Sequence, residues 1–509
     1  MQLTAAALRS FRNEKVEVPQ SSLFSLPEKV LQFGTGVLLR GLPDYFIDKA
    51  NKRGVFNGRV VVVKSTDRGN TSAFDVQDNL YTICVRGVEH GRKVEENIIN
   101  AAISRVINAA EQWKDVLACA SSPDMQVIVS NTTEVGIQYS DDLIYNRTPS
   151  SFPGKLLSFL YQRFKALGGS IESGMTIIPT ELITDNGARL KSIVLQLASF
   201  NQLESSFVEW LEQHNHFCNS LVDRIVPGQP DADVLNSLCG ELGYRDDLLI
   251  VAEVYRLWAI EGDERIKNIL SFSSADEGVI VEPDIGIYKE LKLRLLNGTH
   301  TLSCGLAFLA GFSTVKQAMD DDLMSSFIHD LMIKEIAPSI PYDVGEEVAH
   351  DFGQKVLDRF KNQEIKHHWI SITMQYSSKL KMRVVPVLLK HYEASDVPPA
   401  RIVSGFAAYL LFTKPVRKKG SEYFGEYNGD DYLINDDAAP SFFARWNNLA
   451  PAELVHDVLS DAGLWGFDLS TLAGFSNAVL HNLNFIMTNG AKEALSSVQP
   501  KKLDEEVSR

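Results

Sequence analysis

Two kinds of hydrophobic pattern divide the chain. In the first half, short apolar runs alternate with stretches whose apolar residues recur at helical spacing. The runs that predict buried strands are Lys29–Phe33, Arg59–Lys64, Met125–Val129 and Met175–Ile178, with Leu248–Ala252 as a further candidate. Because strands that alternate with helices are typical of βαβ units, the pattern predicts an α/β fold built on a parallel sheet.

From Ile287 onward the apolar spacing is almost wholly helical. The stretches that predict helices include Glu290–Phe312, Asp322–Ile336, Glu346–Lys361 and Ala400–Thr413. The period changes near Pro283, where a proline and neighbouring acidic residues favour a boundary. We therefore expect a first, cofactor-binding domain over residues 1–284 and a mostly α-helical substrate domain over residues 285–509.

Composition then narrows the functional classes. The 509 residues include 50 Lys+Arg and 65 Asp+Glu, for a formal net charge of −15. This balance argues against a protein that binds nucleic acid or coats a membrane, but it is compatible with a local basic pocket for an anionic substrate. No run approaches the roughly 20 apolar residues that span a bilayer, and Met1–Pro27 lacks the apolar segment of a signal peptide.

The cysteines and histidines predict neither disulfides nor a metal. The five cysteines are odd in number and widely spaced, and no CxxC occurs, which favours reduced thiols and a cytoplasmic location. His214–His216 and His367–His368 have no carboxylate or cysteine at ligand spacing. The chain also has no Walker A, HExxH or GxSxG motif.

A glycine-rich turn follows the first predicted strand and precedes a helical stretch. Glycines at such a turn let the backbone approach a pyrophosphate, and the helix N-terminus supplies N–H donors. The spacing is GxGxxxxG, with Gly41 as the third glycine, so an ordinary strand-to-helix turn is the alternative interpretation. We expect the dinucleotide contacts at Phe33, Gly34, Thr35, Gly36, Val37 and Leu38.

Polar residues at two further strand ends extend this prediction. Asp67 follows the second strand and would accept hydrogen bonds from the adenosine ribose, favouring NAD, whereas Lys64 or Arg68 would favour a 2′-phosphate. A solvated loop is the alternative. Asn131 and Thr132 follow the third strand, at the edge where α/β sheets bind ligands, and a helix cap is their other interpretation.

The segment at the domain boundary carries candidate acid/base chemistry. Lys292, Asn297 and His300 are spaced Kx4NxxH within a predicted helix. A lysine in an apolar site can exchange a proton with a carbonyl or alcohol oxygen, and an asparagine can donate a hydrogen bond to that oxygen. The alternative is a surface lysine beside a hydrogen-bonded core histidine.

These pieces together resemble the mannitol dehydrogenase family of long-chain polyol-specific dehydrogenases, along nearly the whole chain. The resemblance implies a Rossmann-like domain followed by a mostly helical domain, and a metal-independent mechanism. It implies that Lys292 is the general acid/base and that Asn297 and His300 orient the reacting oxygen. Arg40 matches the arginine of the family's glycine-loop signature and is added to the cofactor-binding residues. Gln77–Thr82 and Val254–Glu261 resemble further family segments.

Three positions depart from the mannitol enzymes. Leu182 stands where the family carries an asparagine that helps to hold the substrate oxygen. Ser371 and Ser377 stand in the places of an arginine and a histidine ahead of the substrate-loop lysine, while Lys379 and Arg383 match. The departures imply a changed substrate pocket.

The departures are similar to those of one branch, the tagaturonate reductases, also called altronate oxidoreductases. The stretches Pro179–Ile183, Gly425–Gly429 and Tyr432–Asp437 carry this resemblance. It implies reduction of D-tagaturonate to D-altronate with NADH in hexuronate catabolism. Lys379, Lys381 and Arg383 are candidate cations for the substrate carboxylate. A fructuronate reductase, a mannitol-type polyol dehydrogenase and a non-catalytic dinucleotide-binding regulator are the alternatives, and the oligomeric state is left open.

Overall fold

The computed structural model describes residues 1–65, 71–132, 136–145, 147–363 and 366–497. Internal contacts divide these residues into two compact units. The first comprises the described residues of Met1–Gly87 and Lys93–Ile285, and the second comprises Val88–Arg92 with the described residues from Gly286 onward. The assignment of residues 1–284 to cofactor binding and residues 285–509 to substrate binding stays a prediction.

The strands are numbered here in chain order. They are β1 (Glu28–Phe33), β2 (Arg59–Lys64), β3 (Tyr81–Glu89), β4 (Arg92–Asn100), β5 (Ile103–Asn108), β6 (Val127–Ser130), β7 (Thr176–Pro179), β8 (His216–Phe217), β9 (Ser220–Asp223), β10 (Ile250–Glu253), β11 (Leu257–Glu261), β12 (Val279–Glu282), β13 (Arg417–Lys419), β14 (Glu422–Tyr427) and β15 (Asp430–Leu433).

A six-stranded sheet forms the centre of the first unit, in the order β5-β2-β1-β6-β7-β8. All its described pairings are parallel. Alternate residues of β2 enter different apolar cores, Val60 and Val62 on one face and Val61 and Val63 on the other. The continuous β-branched run therefore reflects a strand that is buried on both faces, as expected for a doubly wound parallel sheet.

Two strands of this sheet were not predicted, and one predicted strand lies elsewhere. Strand β5 lies at the sheet edge and mixes polar with apolar residues, and β8 is only two residues long. The Leu248–Ala252 run does form a strand, β10, but it pairs with β3 in a separate three-stranded sheet with β4. A third sheet has the order β12-β11-β9.

The first unit's α-helices surround these sheets. They are Ala5–Leu8, Val37–Gly41, Pro43–Lys52, Ser72–Val76, Trp113–Cys119, Phe152–Leu167, Asn186–Phe200, Ser205–His214, Ala232–Leu242 and Glu264–Ile269, with short 3₁₀ turns at Ser21–Ser25, Ile171–Ser173 and Ser271–Ala275. The helical stretch after the glycine turn is interrupted at Leu42, because Pro43 begins a new helix and disfavours the helical conformation before it.

The second unit is mainly helical. Its α-helices are Gly286–Leu291, Thr299–Leu309, Val315–Asp320, Asp322–Asp330, Glu346–Phe360, Trp369–Ile372, Tyr376–Arg383, Val385–Tyr392, Ala400–Phe412, Ala439–Asn448, Pro451–Ser460, Ala462–Trp465, Phe475–Asn489 and Ala491–Ser497. Lys292–Gly298 and Leu331–Ile336 are π-helical, and Ala337–Ser339 and Leu469–Thr471 are 3₁₀ turns. Helix Ala400–Phe412 is buried along most of its length and packs against Thr299–Leu309 and Phe475–Asn489.

This unit also contains a small antiparallel sheet, in the order β13-β14-β15, that the helical pattern did not predict. A two-residue turn, Asn428-Gly429, joins β14 to β15, with positive φ at both residues (52° and 87°). Asn-Gly is the preferred sequence for such a hairpin turn. The overall prediction of an α/β, Rossmann-like first part followed by a mostly α-helical second part is confirmed.

Candidate active site

The glycine turn leaves β1 in a conformation that requires glycine. Gly34 has a φ of 133°, and its N–H donates to the Val63 carbonyl at 3.0 Å. A Cβ at this position would lie 2.8 Å from Leu39 Cδ1 and 3.1 Å from the Asn131 carbonyl oxygen. Gly36 differs, because a Cβ there would meet no atom within 4 Å. The first glycine therefore serves the turn itself, and the second leaves open space beside it.

A cavity of about 470 Å³ lies over this turn. It sits at the carboxyl ends of β1, β2 and β6, where the strand order reverses direction around β1 and where open α/β sheets bind ligands. The described residues that line it are Gly34, Thr35, Gly36, Ser65, Asn131, Thr132, Gly136, Gln138, Tyr139, Ser140, Ser150, Ser151, Phe152 and Lys155. Gly34, Thr35, Gly36, Asn131 and Thr132 were all predicted to bind the cofactor, and the structure brings them together.

The other predicted cofactor residues have different positions. Phe33 is fully buried, with its ring 5.2 Å from that of Phe152, and Val37 and Leu38 pack against the neighbouring core. None of the three lines the described cavity. Asp67 lies outside the described residues, as does Arg68, so the NAD preference that rested on them stays a prediction.

Arg40 points into the protein interior. Its guanidinium donates to the Leu248 carbonyl at 2.7 Å and lies 5.3 Å from the centre of the Tyr81 ring. Burial lowers its pKa, while Tyr81, Asp246 and Asp44 oppose that shift. Its described side-chain contacts are those of a residue in the interior of the first unit, and cofactor binding by Arg40 stays a prediction.

A buried acid lies next to this arginine. Asp44 is fully buried and accepts a hydrogen bond from Gln32 Nε2 at 3.2 Å, and the same Gln32 nitrogen lies 3.5 Å from the Gly34 carbonyl oxygen. Burial raises the pKa of Asp44 to about 7. The carboxyl group of Asp44 is therefore linked to the glycine turn through the side-chain amide of Gln32.

The loops that follow β6 and β7 are joined by a second buried carboxylate. Glu181 accepts hydrogen bonds from Ser130 Oγ at 3.1 Å and from the backbone N–H and Oγ1 of Thr132, each at 2.9 Å. Burial raises its pKa, and these hydrogen bonds oppose the rise. Asn131 Nδ2 donates to Thr180 Oγ1 at 3.0 Å. Asn131 and Thr132 are thus fixed at the cavity wall by hydrogen bonds to the loop that follows β7.

The sequence reasoning missed the far wall of the cavity, Ser150–Lys155. Ser151 caps helix Phe152–Leu167 by accepting from Gly154 N–H, and Pro153 stands in its first turn. A serine cap followed by proline is a recognisable start signal for a helix. Nothing in that signal indicates a ligand, because the proximity of Lys155 to the glycine turn depends on the sheet order.

Two family-like stretches of the first unit lie within its packing. Gln77 Nε2 donates to Asp246 Oδ1 at 2.8 Å, which ties the Gln77–Thr82 stretch to the loop before β10. Trp258, in the Val254–Glu261 stretch, is fully buried with its ring stacked 5.5 Å from Phe272. The described contacts of Gln77 and Trp258 are therefore those of residues that stabilise the interior of the first unit.

In the second unit, the candidate acid/base segment is π-helical rather than α-helical. Lys292–Gly298 forms the π-helical turn, and an α-helix resumes at Thr299. A π turn holds one more residue than an α turn. On an α-helix Lys292 and Asn297 would be about 140° apart, whereas the extra residue makes them equivalent to an i,i+4 pair, about 40° apart. His300 is similarly brought to within about 20° of Lys292.

His300 occupies an aromatic box. Its ring stacks on Phe360 with centroids 4.2 Å apart, and the rings of His367 and Trp369 meet it edge-on at 4.9 Å and 6.0 Å. His300 is 8% exposed, and its Nε2 has no hydrogen-bond partner among the described residues. A buried, unpartnered ring nitrogen costs free energy unless a ligand pairs with it.

The surroundings of His300 are electropositive. Burial lowers its pKa well below the ordinary value, and nearby His367, Arg359, Arg383 and Lys379 lower it further. The imidazole is therefore neutral at physiological pH and able to donate one hydrogen bond and accept another. A site of this charge favours an anionic group on a ligand.

The three predicted carboxylate-binding residues separate into two places. Arg383 donates to Thr301 Oγ1 at 3.1 Å and to the Asn297 carbonyl at 3.5 Å, so it lies against the candidate catalytic helix. Lys379 is one turn away on the same face, with Nζ donating to the Ile372 carbonyl at 2.8 Å. Lys381 instead donates to the Gly463 carbonyl at 3.2 Å, on a different side of helix Tyr376–Arg383.

The family departures also have clear positions. Leu182 is 64% exposed, and Ser371 is exposed. Ser377 is buried, with its Oγ 2.6 Å from Tyr409 Oη and its N–H donating to Asp436. Ser377 therefore belongs to the core rather than to the surroundings of His300.

No helix in the described part of the chain is long and apolar enough to cross a membrane. Within the same residues, no group of three or more His, Cys, Asp or Glu side chains is arranged to hold a metal ion.

Two family models match the chain. They describe the mannitol dehydrogenase Rossmann domain, over residues 28–273, and the mannitol dehydrogenase C-terminal domain, over residues 284–487. Curated relatives include proteins named altronate oxidoreductase. One from Halalkalibacterium halodurans is 38% identical over 93% of each chain. One from Bacillus subtilis is 37% identical over 92% of this chain and 95% of the relative.

Solved structures with the same fold cover nearly the whole chain. The ternary complex of Pseudomonas fluorescens mannitol 2-dehydrogenase with NAD and D-mannitol is 22% identical, with a TM-score of 0.65 over 98% of this chain and 99% of that one. A substrate-free D-sorbitol dehydrogenase is 20% identical, with a TM-score of 0.76 over 97% of this chain and 100% of that one.

Proposed function

The chain belongs to the mannitol dehydrogenase family of oxidoreductases, and we propose that it catalyses the reversible reduction of D-tagaturonate to D-altronate with NADH. The substrate assignment is supported by relatives named altronate oxidoreductase, 36–38% identical over about 93% of the chain. It is also supported by the charge around His300, because a uronate differs from a neutral sugar by one carboxylate.

The cofactor assignment is supported by the cavity over the glycine turn. Its position at the strand-order reversal and the open space beside the backbone of Gly36 fit a dinucleotide pyrophosphate. When bound, NADH supplies the hydride that converts the keto carbon to a CH–OH group.

The chain's own residues would transfer the proton and hydrogen-bond the substrate. Lys292, as the ammonium, donates a proton to the carbonyl oxygen as negative charge develops there, and takes it back in the oxidative direction. Asn297 donates a hydrogen bond to the same oxygen. Neutral His300, whose Nε2 has no protein partner in the described chain, is available for a second hydrogen bond to the substrate. This assignment is supported by the π-helical turn, because one extra residue in the turn brings the three backbone positions to one side of the helix.

The carboxylate would be bound by Arg383 and Lys379, with Arg359 adding to the field. Arg383 is the better candidate for a direct contact, because a guanidinium pairs with a carboxylate in bidentate fashion and its Nε is buried without a described partner. Lys381 is a poor candidate, since its ammonium is held at Gly463.

The test follows NADH absorbance with D-tagaturonate, D-fructuronate and D-fructose offered in parallel. We expect rapid loss with tagaturonate. Faster turnover of fructuronate or fructose would contradict the substrate assignment, and loss only with NADPH would contradict the cofactor assignment.

Lys292→Ala tests the mechanism. Loss of the general acid should lower kcat about 10²–10⁴-fold, with the melting temperature unchanged. Lys390→Ala is the matched control, because Lys390 is exposed in the same unit and pairs only with nearby Glu393 in the described contacts. Near-normal turnover by Lys292→Ala at every pH would rule out this role.

A further inference from the structure

Glu181 joins the loops that follow β6 and β7. Its side chain is 3% exposed, and it is not among the described residues that line the cavity over the glycine turn. One carboxylate oxygen accepts hydrogen bonds from the backbone N–H and the hydroxyl of Thr132, and the other accepts from the hydroxyl of Ser130. A buried donor costs free energy when it has no acceptor, and Glu181 is the acceptor for all three donors. The conformation of the loop at Thr132 therefore depends on Glu181.

Glu181 is itself held by a buried asparagine. Asn186 Nδ2 donates to the backbone carbonyl of Glu181 at 3.0 Å. The same amide group donates to the carbonyls of Pro179 and Ser220, at 3.0 Å and 3.1 Å, which are the last residue of β7 and the first residue of β9. Asn186 Oδ1 accepts from the N–H of Ser220 at 2.9 Å. The Glu181 carboxylate therefore projects from a backbone that is fixed to two strands.

Thr132 in turn forms part of the cavity wall. Thr132 and Gly136 both line the cavity, and a Cβ at Gly136 would overlap Thr132 Oγ1. The hydroxyl group of Thr132 is thus packed against the backbone of Gly136 as well as bonded to Glu181. Asn131 is fixed beside it, because its Nδ2 donates to Thr180 Oγ1. A shift of Thr132 would therefore alter the wall on the β6 side of the cavity.

We propose that Glu181 is a positioning residue that shapes the nicotinamide half of the dinucleotide site. This role rests on the proposed use of NADH. In a doubly wound sheet the dinucleotide lies across the strand-order reversal, with one mononucleotide on each half. The adenosine ribose is read at the end of β2, on one side of β1, whereas the loop held by Glu181 follows β6, on the other side. The nicotinamide mononucleotide is therefore the half that meets this wall.

The experiment compares the affinities for NADH and for AMP by calorimetry, since AMP occupies only the adenosine half. Glu181→Met removes every acceptor at similar side-chain length. Glu181→Gln keeps one oxygen for both Thr132 donors, and its amide can donate to the Ser130 hydroxyl, which can also accept. Glu209→Met is the matched control, because Glu209 is exposed on another helix of the first unit and lies outside the cavity lining.

We expect Glu181→Met to bind NADH about tenfold more weakly and to bind AMP as the wild type does. Glu181→Gln should retain most of the NADH affinity, and Glu209→Met all of it. Unchanged NADH affinity in Glu181→Met would overturn the proposal. Equal weakening of NADH and AMP would also overturn it, because the first unit would then be generally distorted. Equal weakening in Glu181→Gln and Glu181→Met would show that the charge matters rather than these hydrogen bonds, which would again overturn it.

Ser130→Ala is the second variant, for use if Glu181→Met does not fold. Ser130 is buried and outside the described cavity lining, so the variant removes one hydrogen bond to Glu181 without changing a side chain of the wall. It should weaken NADH binding about threefold with AMP binding unchanged, and undiminished NADH affinity would overturn the proposal. Failure of the wild type to bind NADH at all would overturn the cofactor assignment and, with it, this role of Glu181.

Discussion

The two glycines of the turn should fail in different ways when each is replaced by alanine. Gly34 has a φ of 133° and a close backbone neighbour, so Gly34→Ala should destabilise the first unit. Gly36 has an ordinary φ of −63°, and a methyl group there would meet no atom within 4 Å, so Gly36→Ala should leave the fold intact. The methyl group of Gly36→Ala would instead project into the space where the dinucleotide is proposed to bind.

The loss of folding stability expected for Gly34→Ala has two sources. A side chain at this backbone conformation costs about 1–3 kcal/mol. The contacts of 2.8 Å with Leu39 Cδ1 and 3.1 Å with the Asn131 carbonyl oxygen add strain, of which the leucine can relieve its part by rotating and the backbone oxygen cannot. A total of about 2–4 kcal/mol follows, which corresponds to a fall of roughly 4–10 °C in the melting temperature of the first unit.

Differential scanning calorimetry without ligand measures the first effect, and titration of NADH measures the second. Gly34→Ala should lower the first melting transition. Gly36→Ala should melt within about 1 °C of the wild type while binding NADH about tenfold more weakly, since a methyl group would separate the backbone from the pyrophosphate.

Identical behaviour of the two variants would contradict these different roles of Gly34 and Gly36. Equal destabilisation would mean that the turn does not depend on the φ of Gly34. Undiminished NADH affinity in Gly36→Ala would mean that the pyrophosphate does not approach this part of the turn.

Two further predictions concern buried charges. Because burial raises the pKa of Asp44 from 3.8 to about 7, the folded protein retains a proton over this range that the unfolded chain has released, and stability falls as pH rises by about 1.4 kcal/mol per unit. In urea unfolding, Asp44→Asn should make the free energy of unfolding less dependent on pH between pH 5 and pH 7. An unchanged pH dependence would mean that another group retains the proton. Lys379→Met should raise the KM for tagaturonate about tenfold, whereas Lys381→Met should leave it unchanged. Initial rates at varied substrate concentration measure both. A larger KM increase in Lys381→Met than in Lys379→Met would instead favour Lys381 as the carboxylate-binding residue.

The central sheet was predictable because its inner strands are buried on both faces. Runs such as Arg59–Lys64 have no polar alternation, and a short β-branched run of that kind is typical of a strand covered on both sides. Edge strand β5 contains polar residues among its apolar ones, and β8 is only two residues long. The pairing of both strands depends on contacts between residues far apart in sequence. The β14–β15 hairpin did carry a local signal, Asn428-Gly429, which the helical pattern around it obscured.

The sequence predicted those residues of the candidate site that directly follow a strand. It did not predict the residues that reach the site only through the order of strands in the sheet. Gly34, Gly36, Asn131 and Thr132 follow strand ends directly, so their convergence follows from a parallel sheet. Lys155 is 25 residues beyond the end of β6, and only the packing of its helix brings it to the cavity. Lys381 was wrongly grouped with Lys379 because the two are close in sequence. Residues two apart lie on different sides of a helix, and the two ammonium groups have different partners.

The Kx4NxxH spacing itself contains information about helix type. On a regular α-helix, Lys292 and Asn297 would lie about 140° apart and could not address one oxygen atom. If both act on the same substrate group, the spacing requires one extra residue per turn between them, which is what the π-helical segment Lys292–Gly298 supplies. The strain of a π turn is commonly retained at functional sites. A periodicity search treats this segment as an α-helix and misses the distortion, whereas the chemistry assigned to the two side chains predicts it.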